Sequence, residues 1–259
     1  MKGKPAILGV FAHPDDECYG PGGTLARFAL EGRPVHLLFF TRGEAGTLGS
    51  SRCFTREELA HRREVELAEA CRALGVAGHR IVGAPDGGVE RIGLEAGVRA
   101  VLDEILKIRP QTLVTFDERG ISGHPDHRAV TLFTRIAFLR AGRDGPERIL
   151  EFGILGDAAA RLSRNRKKPV LPLAGDRFDA RVLVPEEAME RKIAAIRSHR
   201  TQTAFYRQLR RAFDDYRAAT RREHFRVPFD RGEPREGKRF HPAGEDGWRP
   251  SYDEEPSSA

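Results

Sequence analysis

The sequence predicts an α/β fold, a Rossmann-like open and mostly parallel sheet with helices on both faces. Three observations carry that reading. Short β-rich runs alternate with helical patterns from the first strand to about residue 140. The strand runs are nearly continuous in apolar residues, which suits parallel strands buried on both faces. Each of the first four runs leads into a polar loop, and in such sheets sites form beyond the carboxyl ends of the strands.

The elements follow in order. "AILGVF" (6–11), "VHLLFF" (35–40), "RIVGA" (80–84) and "TLVTFD" (112–117) read as strands. Helices are expected at 22–31, 57–74, 94–108 and 127–140. The second is the clearest: Leu59, Val65, Leu67, Ala70, Cys71 and Leu74 form an apolar stripe near the helical period, and Gly75 supplies a stop. Beyond residue 148 the pattern loosens. "RILEFGIL" (148–155) and "DARVLV" (179–184) read as two further strands, 161–169 as a basic loop, and 186–198 and 202–223 as helices. The expected organisation is one domain over 1–225 and a charged Pro/Gly-rich extension over 226–259. The extension reads as a disordered tail or a segment packed on a partner.

The 259 residues and 39% hydrophobic content support one large core. A net charge of +6 favours anionic partners in general. Cys18, Cys53 and Cys71 form no CxxC pair, which argues against a disulfide framework and fits a reducing compartment. The N-terminal apolar stretch is too short for a signal peptide, and no run approaches the roughly 20 residues that span a bilayer. The expectation is a cytoplasmic protein without membrane insertion. There is no Gly-rich Walker loop and no GxSxG elbow.

The polar loops carry the chemistry. "AHPDDE" (12–17) ends the first strand and packs three carboxylates beside an imidazole. Like charges at that density call for a cation. His13 and Asp16 stand three residues apart with Asp15 between them. "HPDH" (124–127) follows the fourth strand and offers two imidazoles, His124 and His127, around Asp126. Zinc takes nitrogen and oxygen ligands, and its catalytic sites use three protein ligands and leave one position open. One His and one Asp from the first loop with one His from the second complete that set.

These motifs resemble the zinc-dependent de-N-acetylase family that includes LmbE-like and PIG-L proteins. "TRGEAG" (41–46), "HRREVELAEACRALGV" (61–76), "GAPDGG" (83–88) and "RKIAAIRSHRTQ" (191–202) extend the resemblance over roughly residues 5–205. It implies Zn(2+) held by His13, Asp16 and His127, with Asp15 as the general base toward the attacking water. It implies His124 as the group that stabilises or protonates the tetrahedral intermediate. General-base help of that kind is typically worth about 10²–10⁴-fold, and a positive group facing the oxyanion adds to it. Asp126 reads either as the carboxylate orienting His124 or His127 or as a first-turn residue of the following helix. Some family members carry a tyrosine where this chain has Ser122, so a backbone N–H or Arg119 is left to complete the oxyanion site.

The resemblance implies a small-molecule N-acetylglucosamine conjugate as substrate, with Arg63, Asp86 and Glu44 as candidate contacts to it. A carboxylate accepts hydrogen bonds from vicinal sugar hydroxyls, and Arg63 could clamp an anionic aglycone. The basic loop and net charge favour an anionic aglycone such as malate, as in bacillithiol synthesis. His199 and Gln202 either line the pocket or pack the later helix, and stay outside the expected site. A thiol-conjugate amidase using the same zinc–water chemistry is the near alternative. A different class is a nucleic-acid-binding protein, since residues 185–240 hold fifteen Lys/Arg against nine Asp/Glu with Phe205, Tyr206, Phe213, Tyr216 and Phe225 interleaved. A solvated helix with its aromatics in the core is the favoured reading there. Family members often assemble, so a homo-oligomer is compatible with the resemblance, but no interface is legible.

Overall fold

The computed structural model describes residues 3–46, 54–164, 169–173, 178–213 and 215–231. Strand β1 (Ile7–Phe11), buried at all five positions, runs through the middle of a seven-stranded sheet. It pairs in parallel with β2 (Val35–Phe39), Ile7 opposite Val35, and with β4 (Thr112–Phe116), Ile7 opposite Thr112. Parallel strands β3 (Gly78–Ile81) and β5 (Arg148–Gly153) extend the two sides. Strand β7 (Arg222–Arg226) then joins β5 antiparallel, and β6 (Ala180–Leu183) joins β7 antiparallel. The order β3-β2-β1-β4-β5-β7-β6 is therefore mostly parallel, as the alternating pattern predicted.

The chain leaves β1 toward β2 and β3, then returns to the other side of β1 at β4. That reversal makes a switch point between β1 and β4, and a crevice opens at their carboxyl ends. The loops that fill it are the "AHPDDE" and "HPDH" segments.

Helices cover the sheet where sequence and caps dictate. Helix α1 (Asp16–Tyr19) is one turn, and α2 (Gly22–Leu30) follows it. Helix α3 (Arg56–Leu74) opens on a capping box between Thr55 and Glu58 and closes on Gly75, whose φ of 80° is left-handed. Helix α4 (Leu94–Ile108) packs on α6 (Pro125–Arg140) through Gly97, where a Cβ would lie 2.3 Å from the Phe133 ring. A one-turn α5 (Gly120–Gly123) and α7 (Gly156–Ser163) lie in the loops that follow β4 and β5. Helix α8 (Glu186–Ser198) packs against α2 and α3 around a satellite cluster that includes Ala26, Leu74, Met189 and Ile193.

Several boundaries differ from the sequence reading. Helix α6 begins at Pro125 rather than 127, because His124 caps it and proline is pre-shaped for the first helical position. Strand β3 spans 78–81 instead of 80–84. On α3, Val65 is 45% exposed while Arg63 and Glu66 are buried, so the inward face includes two charges. The expected 202–223 helix is broken. Helix α9 (Thr203–Ala212) and α10 (Tyr216–Thr220) give way to β7, where Glu223 and Phe225 alternate inward with Arg222, His224 and Arg226. Phe213, Tyr216 and Phe225 are buried, so these rings offer no stacking surface to nucleic acid.

Packing continues past residue 225. Ile149 N–H donates to Phe229 O at 3.1 Å, and Arg231 donates to Phe138 O at 2.8 Å. Most of the expected extension lies outside the described residues, as do Cys53 and much of the basic loop. Cys18 and Cys71 are buried free thiols. Among the described residues no helix is long and apolar enough to cross a membrane.

Candidate metal centre and active site

The β1 strand delivers His13 to the crevice, and the next three residues turn sharply into α1. His13 N–H donates to Asp16 Oδ2 at 2.7 Å, which fixes the turn. Asp15 sits at φ 110°, ψ −23°, a left-handed conformation that a non-glycine residue adopts only under constraint. Across the switch point, His124 ends the α5 turn and His127 falls in the first turn of α6. The four residues His13, Asp16, His124 and His127 thus come from the two central strand ends.

Donor atoms of three residues converge. His127 Nε2 lies 3.3 Å from His13 Nδ1 and 3.3 Å from Asp16 Oδ1, and His13 Nδ1 lies 3.5 Å from Asp16 Oδ2. Ligands at about 2.0–2.1 Å in a tetrahedral zinc site are about 3.3 Å apart. The donor set and its spacing therefore fit a zinc-type cation. His13, His124 and Asp126 form a second close group. There, however, Asp126 accepts from Gly87 N–H at 2.8 Å, Val89 N–H at 3.1 Å and His13 Nε2 at 3.2 Å. His124 Nδ1 accepts from Asp126 N–H at 3.3 Å. Those atoms are already engaged, so the first group is the better cation site.

The surrounding groups set the tautomers. His13 Nε2 faces two carboxylates, Asp126 and Asp86, each at 3.2 Å. It therefore carries a proton, and Nδ1 is the ring atom turned to Asp16 and His127. Asp126 thus orients His13, not His124 or His127 as the sequence reading had it, and it also sits in the first turn of α6. Charge follows the same logic. Burial alone would lower the His13 pKa, but Asp126, Asp16 and Asp86 raise it well above its ordinary value. Burial works against the Asp16 carboxylate, yet His127 and His13 hold it far below the carboxylate range. Burial pushes His127 down to about 4. Burial and the neighbouring His13 also lower the His124 pKa below its ordinary value, which disfavours the charged form expected of it.

Asp15 is held from three sides. Arg63, 3% exposed, places Nη2 3.0 Å from Asp15 Oδ2. The same guanidinium donates to Pro14 O, and Nη1 donates to Gly43 O at 2.9 Å. Gly43 has φ 72°, and a Cβ there would meet the Arg63 guanidinium at 2.5 Å, so only glycine lets the loop close over it. Burial pushes Asp15 up to about 6, against the pull of Arg63.

The other expected contacts are also placed. Arg63 faces Asp15 instead of standing ready for an aglycone. Asp86 Oδ2 accepts from Ala45 N–H at 2.8 Å, and Glu44 Oε1 accepts from Asp86 N–H at 2.8 Å. These two carboxylates knit the loops after β2 and β3 together, and the second oxygen of Glu44 has no hydrogen-bond partner among the described residues. Arg119 donates to Pro172 O at 3.0 Å, and Ser122 lines the cavity. The sequence reading left out Glu17 and His199, which are fully buried and joined at 2.7 Å. It also left out Lys192 and Glu223, a buried pair at 2.7 Å.

A cavity of about 880 Å³ opens on these groups. His13, Asp15, Asp16, His124 and His127 line it, as do Lys192 and Glu223. The volume suits a small-molecule conjugate.

Comparison with known proteins adds the lineage. The family model described as PIG-L, GlcNAc-PI de-N-acetylase, matches residues 8–138. A curated relative from Thermobispora bispora, 1D-myo-inositol 2-acetamido-2-deoxy-alpha-D-glucopyranoside deacetylase, is 35% identical over 241 residues, covering 76% of this chain and 78% of the relative. Among solved structures, GalB, the 4-carboxy-2-hydroxymuconate hydratase of Pseudomonas putida KT2440, matches with a TM-score of 0.68 at 17% identity, covering 88% of this chain and 97% of that one. N,N'-diacetylchitobiose deacetylase from Pyrococcus horikoshii matches with a TM-score of 0.63 at 21% identity, covering 86% and 83%. At those identities the two structures speak for the fold alone. One is a hydratase and the other a deacetylase, so fold by itself does not select the chemistry.

Proposed function

The chain belongs to the PIG-L family of GlcNAc de-N-acetylases, and from that premise we propose that it removes the N-acetyl group from an N-acetylglucosamine conjugate with a zinc ion held by His13, Asp16 and His127. The observation that carries the reading is the triangle of donor atoms from three residues with the strained Asp15 beside it. A bound divalent cation there supplies Lewis acidity, polarising the amide carbonyl and acidifying water.

The chain's own residues do the rest. Asp15, in its carboxylate form, takes the proton of the attacking water. Arg63 holds that carboxylate in place and favours its charged state. His124 keeps its Nδ1 on the Asp126 amide, so Nε2–H is the group it offers to the developing oxyanion, while the proton that Asp15 has taken from the water passes to the leaving amine. Asp126 and Asp86 hold His13 in the tautomer that leaves Nδ1 free.

The aglycone is a neutral polyol in this reading, and inositol is the first choice. The relatives' name supports it. So does the state of the buried cations beside the cavity: Arg63 is engaged with Asp15 and Lys192 with Glu223. The deciding experiment is free-amine release by the zinc-loaded protein from GlcNAc linked to inositol, malate, phosphatidylinositol or chitobiose. Preference for the inositol conjugate supports the assignment, and preference for malate overturns the aglycone. Absence of release from all four, with zinc bound, moves the activity to another amide such as a thiol conjugate.

A further inference from the structure

Glu17 and His199 are fully buried ionisable side chains beside the site, and the reaction above gives them no part. His199 Nε2 lies 2.7 Å from Glu17 Oε1. An ionised carboxylate only accepts, so Nε2 carries the proton in that contact. The other oxygen, Glu17 Oε2, accepts the backbone N–H of Asp15 at 2.9 Å. His199 follows α8, 182 residues away in sequence, so a remote element reaches the Asp15 turn through one carboxylate.

That turn needs support. At φ 110° the Asp15 backbone is strained, and such a conformation persists only where the surroundings enforce it. Its carbonyl accepts from Cys18 N–H and Tyr19 N–H, as any helix start would. Its N–H has Glu17 alone. Without His199, Glu17 would lose the imidazole donor on Oε1 and be free to rotate away from the Asp15 amide. Glu17, Cys18 and His199 lie close enough to suggest a second cation site. Both Glu17 oxygens and the Cys18 thiol, which donates to Asp15 O at 3.1 Å, are already engaged.

We propose that Glu17 and His199 are a positioning pair that locks the strained Asp15 turn and so aims the Asp15 carboxylate at the site formed by His13, Asp16 and His127. The proposal rests on the de-N-acetylase reading for its kinetic part only. An ordinary structural pair would pin α8 to α1 and lower stability without singling out the chemical step.

The test uses full-length protein with His199→Phe, which removes the donor, and His199→Gln, whose amide can replace it. Each is made alone and on an Asp15→Asn background. In zinc-loaded protein His199→Phe lowers kcat roughly 10- to 100-fold through misplacement, with KM within about twofold, and His199→Gln recovers most of it. On the Asp15→Asn background His199→Phe costs nothing further, because both act through one group. Equal fractional losses on both backgrounds, or a Gln variant as poor as Phe, overturn the proposal. In metal-free protein the Asp15 amide proton resonance moves upfield in His199→Phe and stays in place in His199→Gln; an unmoved resonance in His199→Phe also overturns it. The resonance decides the matter even if no substrate is turned over, so the two failures are distinguishable. If His199→Phe does not fold, His199→Asn, whose amide is too short to reach Glu17, replaces it in both arms.

Discussion

Arg63 lies 3.0 Å from Asp15 and is bound on its other edges to the carbonyls of Pro14 and Gly43. The contact ties the middle of α3 to the turn after β1. It also bears on the charge of Asp15, the proposed general base. Burial pushes Asp15 up to about 6, and Arg63 is the first opposing influence. Replacing Arg63 by Met removes that influence, so the Asp15 carboxyl holds its proton to higher pH. The acid limb of the pH–kcat profile should therefore move upward in Arg63→Met. A limb that stays where the wild type has it would show that Asp15 is not the base that limits turnover.

Asp15→Asn keeps size and shape but removes the lone pair that takes the proton. Turnover should fall about 10²–10⁴-fold, while bound zinc, counted by elemental analysis, stays near the wild-type value. His13→Ala should lose both, because His13 Nδ1 is one corner of the donor triangle. Full activity in Asp15→Asn would sink the mechanism, whereas loss of zinc from it would place Asp15 among the ligands.

Removing the metal should act on the fold as well as on the reaction. Asp15, Asp16, Glu17, Asp86 and Asp126 crowd around the site with Arg63 as a fixed cation among them. A cation that binds only the folded chain stabilises it by mass action, about 2.7 kcal/mol at one hundred times its dissociation constant. Chelation should abolish activity and lower Tm, and added zinc should restore both. In Asp16→Asn the zinc-dependent rise in Tm should vanish; an undiminished rise would move the site away from this triangle.

In the cavity wall Lys192 donates to Glu223 at 2.7 Å and to Gly20 O at 3.0 Å. Glu223 also accepts from Gly23 N–H at 2.9 Å and Thr24 N–H at 2.8 Å. One carboxylate thus joins β7, α2 and α8. Lys192→Met leaves that carboxylate buried and without its cation, which costs about 3–5 kcal/mol when one partner of a buried pair is removed. Urea unfolding would measure it. The double variant Lys192→Met, Glu223→Gln should recover part of the loss, and a loss equal to the sum of the singles would deny the pairing.

The sheet and the two motifs that bring His13, Asp16 and His127 together were legible because each strand and each motif is local. Apolar runs of strand length mark β1, β2 and β4, and "HPDD" and "HPDH" sit at the ends of β1 and β4. Arg63 was not legible as a buried group. Its burial depends on a glycine loop and a carbonyl from other parts of the chain, and a charge on a helix reads as solvated. Glu17 and His199 meet across 182 residues, a pairing no local pattern encodes. Strand β7 hid behind two short helices, since "REHFR" gives only two inward residues and one of them is charged.

Asp117 gives a pH dependence of stability that is independent of the metal. It directly follows β4, is 3% exposed, and its Oδ1 accepts from Ile121 N–H at 3.2 Å. Burial pushes its pKa up to about 6, and the Ile121 contact only partly opposes this. An unfolded Asp titrates near about 3.9. Between about pH 4 and pH 6 the folded chain therefore holds a proton that the unfolded chain has released. The sign follows: stability falls as pH rises through that window, because the native state binds more protons. Two pKa units correspond to about 2–3 kcal/mol at most. Asp117→Asn removes the ionisation while keeping an acceptor for Ile121. In metal-free protein the stability of Asp117→Asn relative to wild type should increase from pH 4 to pH 7 by up to that amount, with other titrating groups cancelling between the two proteins. Urea unfolding at four pH values measures the difference, and a constant offset across the range would show that Asp117 is ionised in the native state throughout.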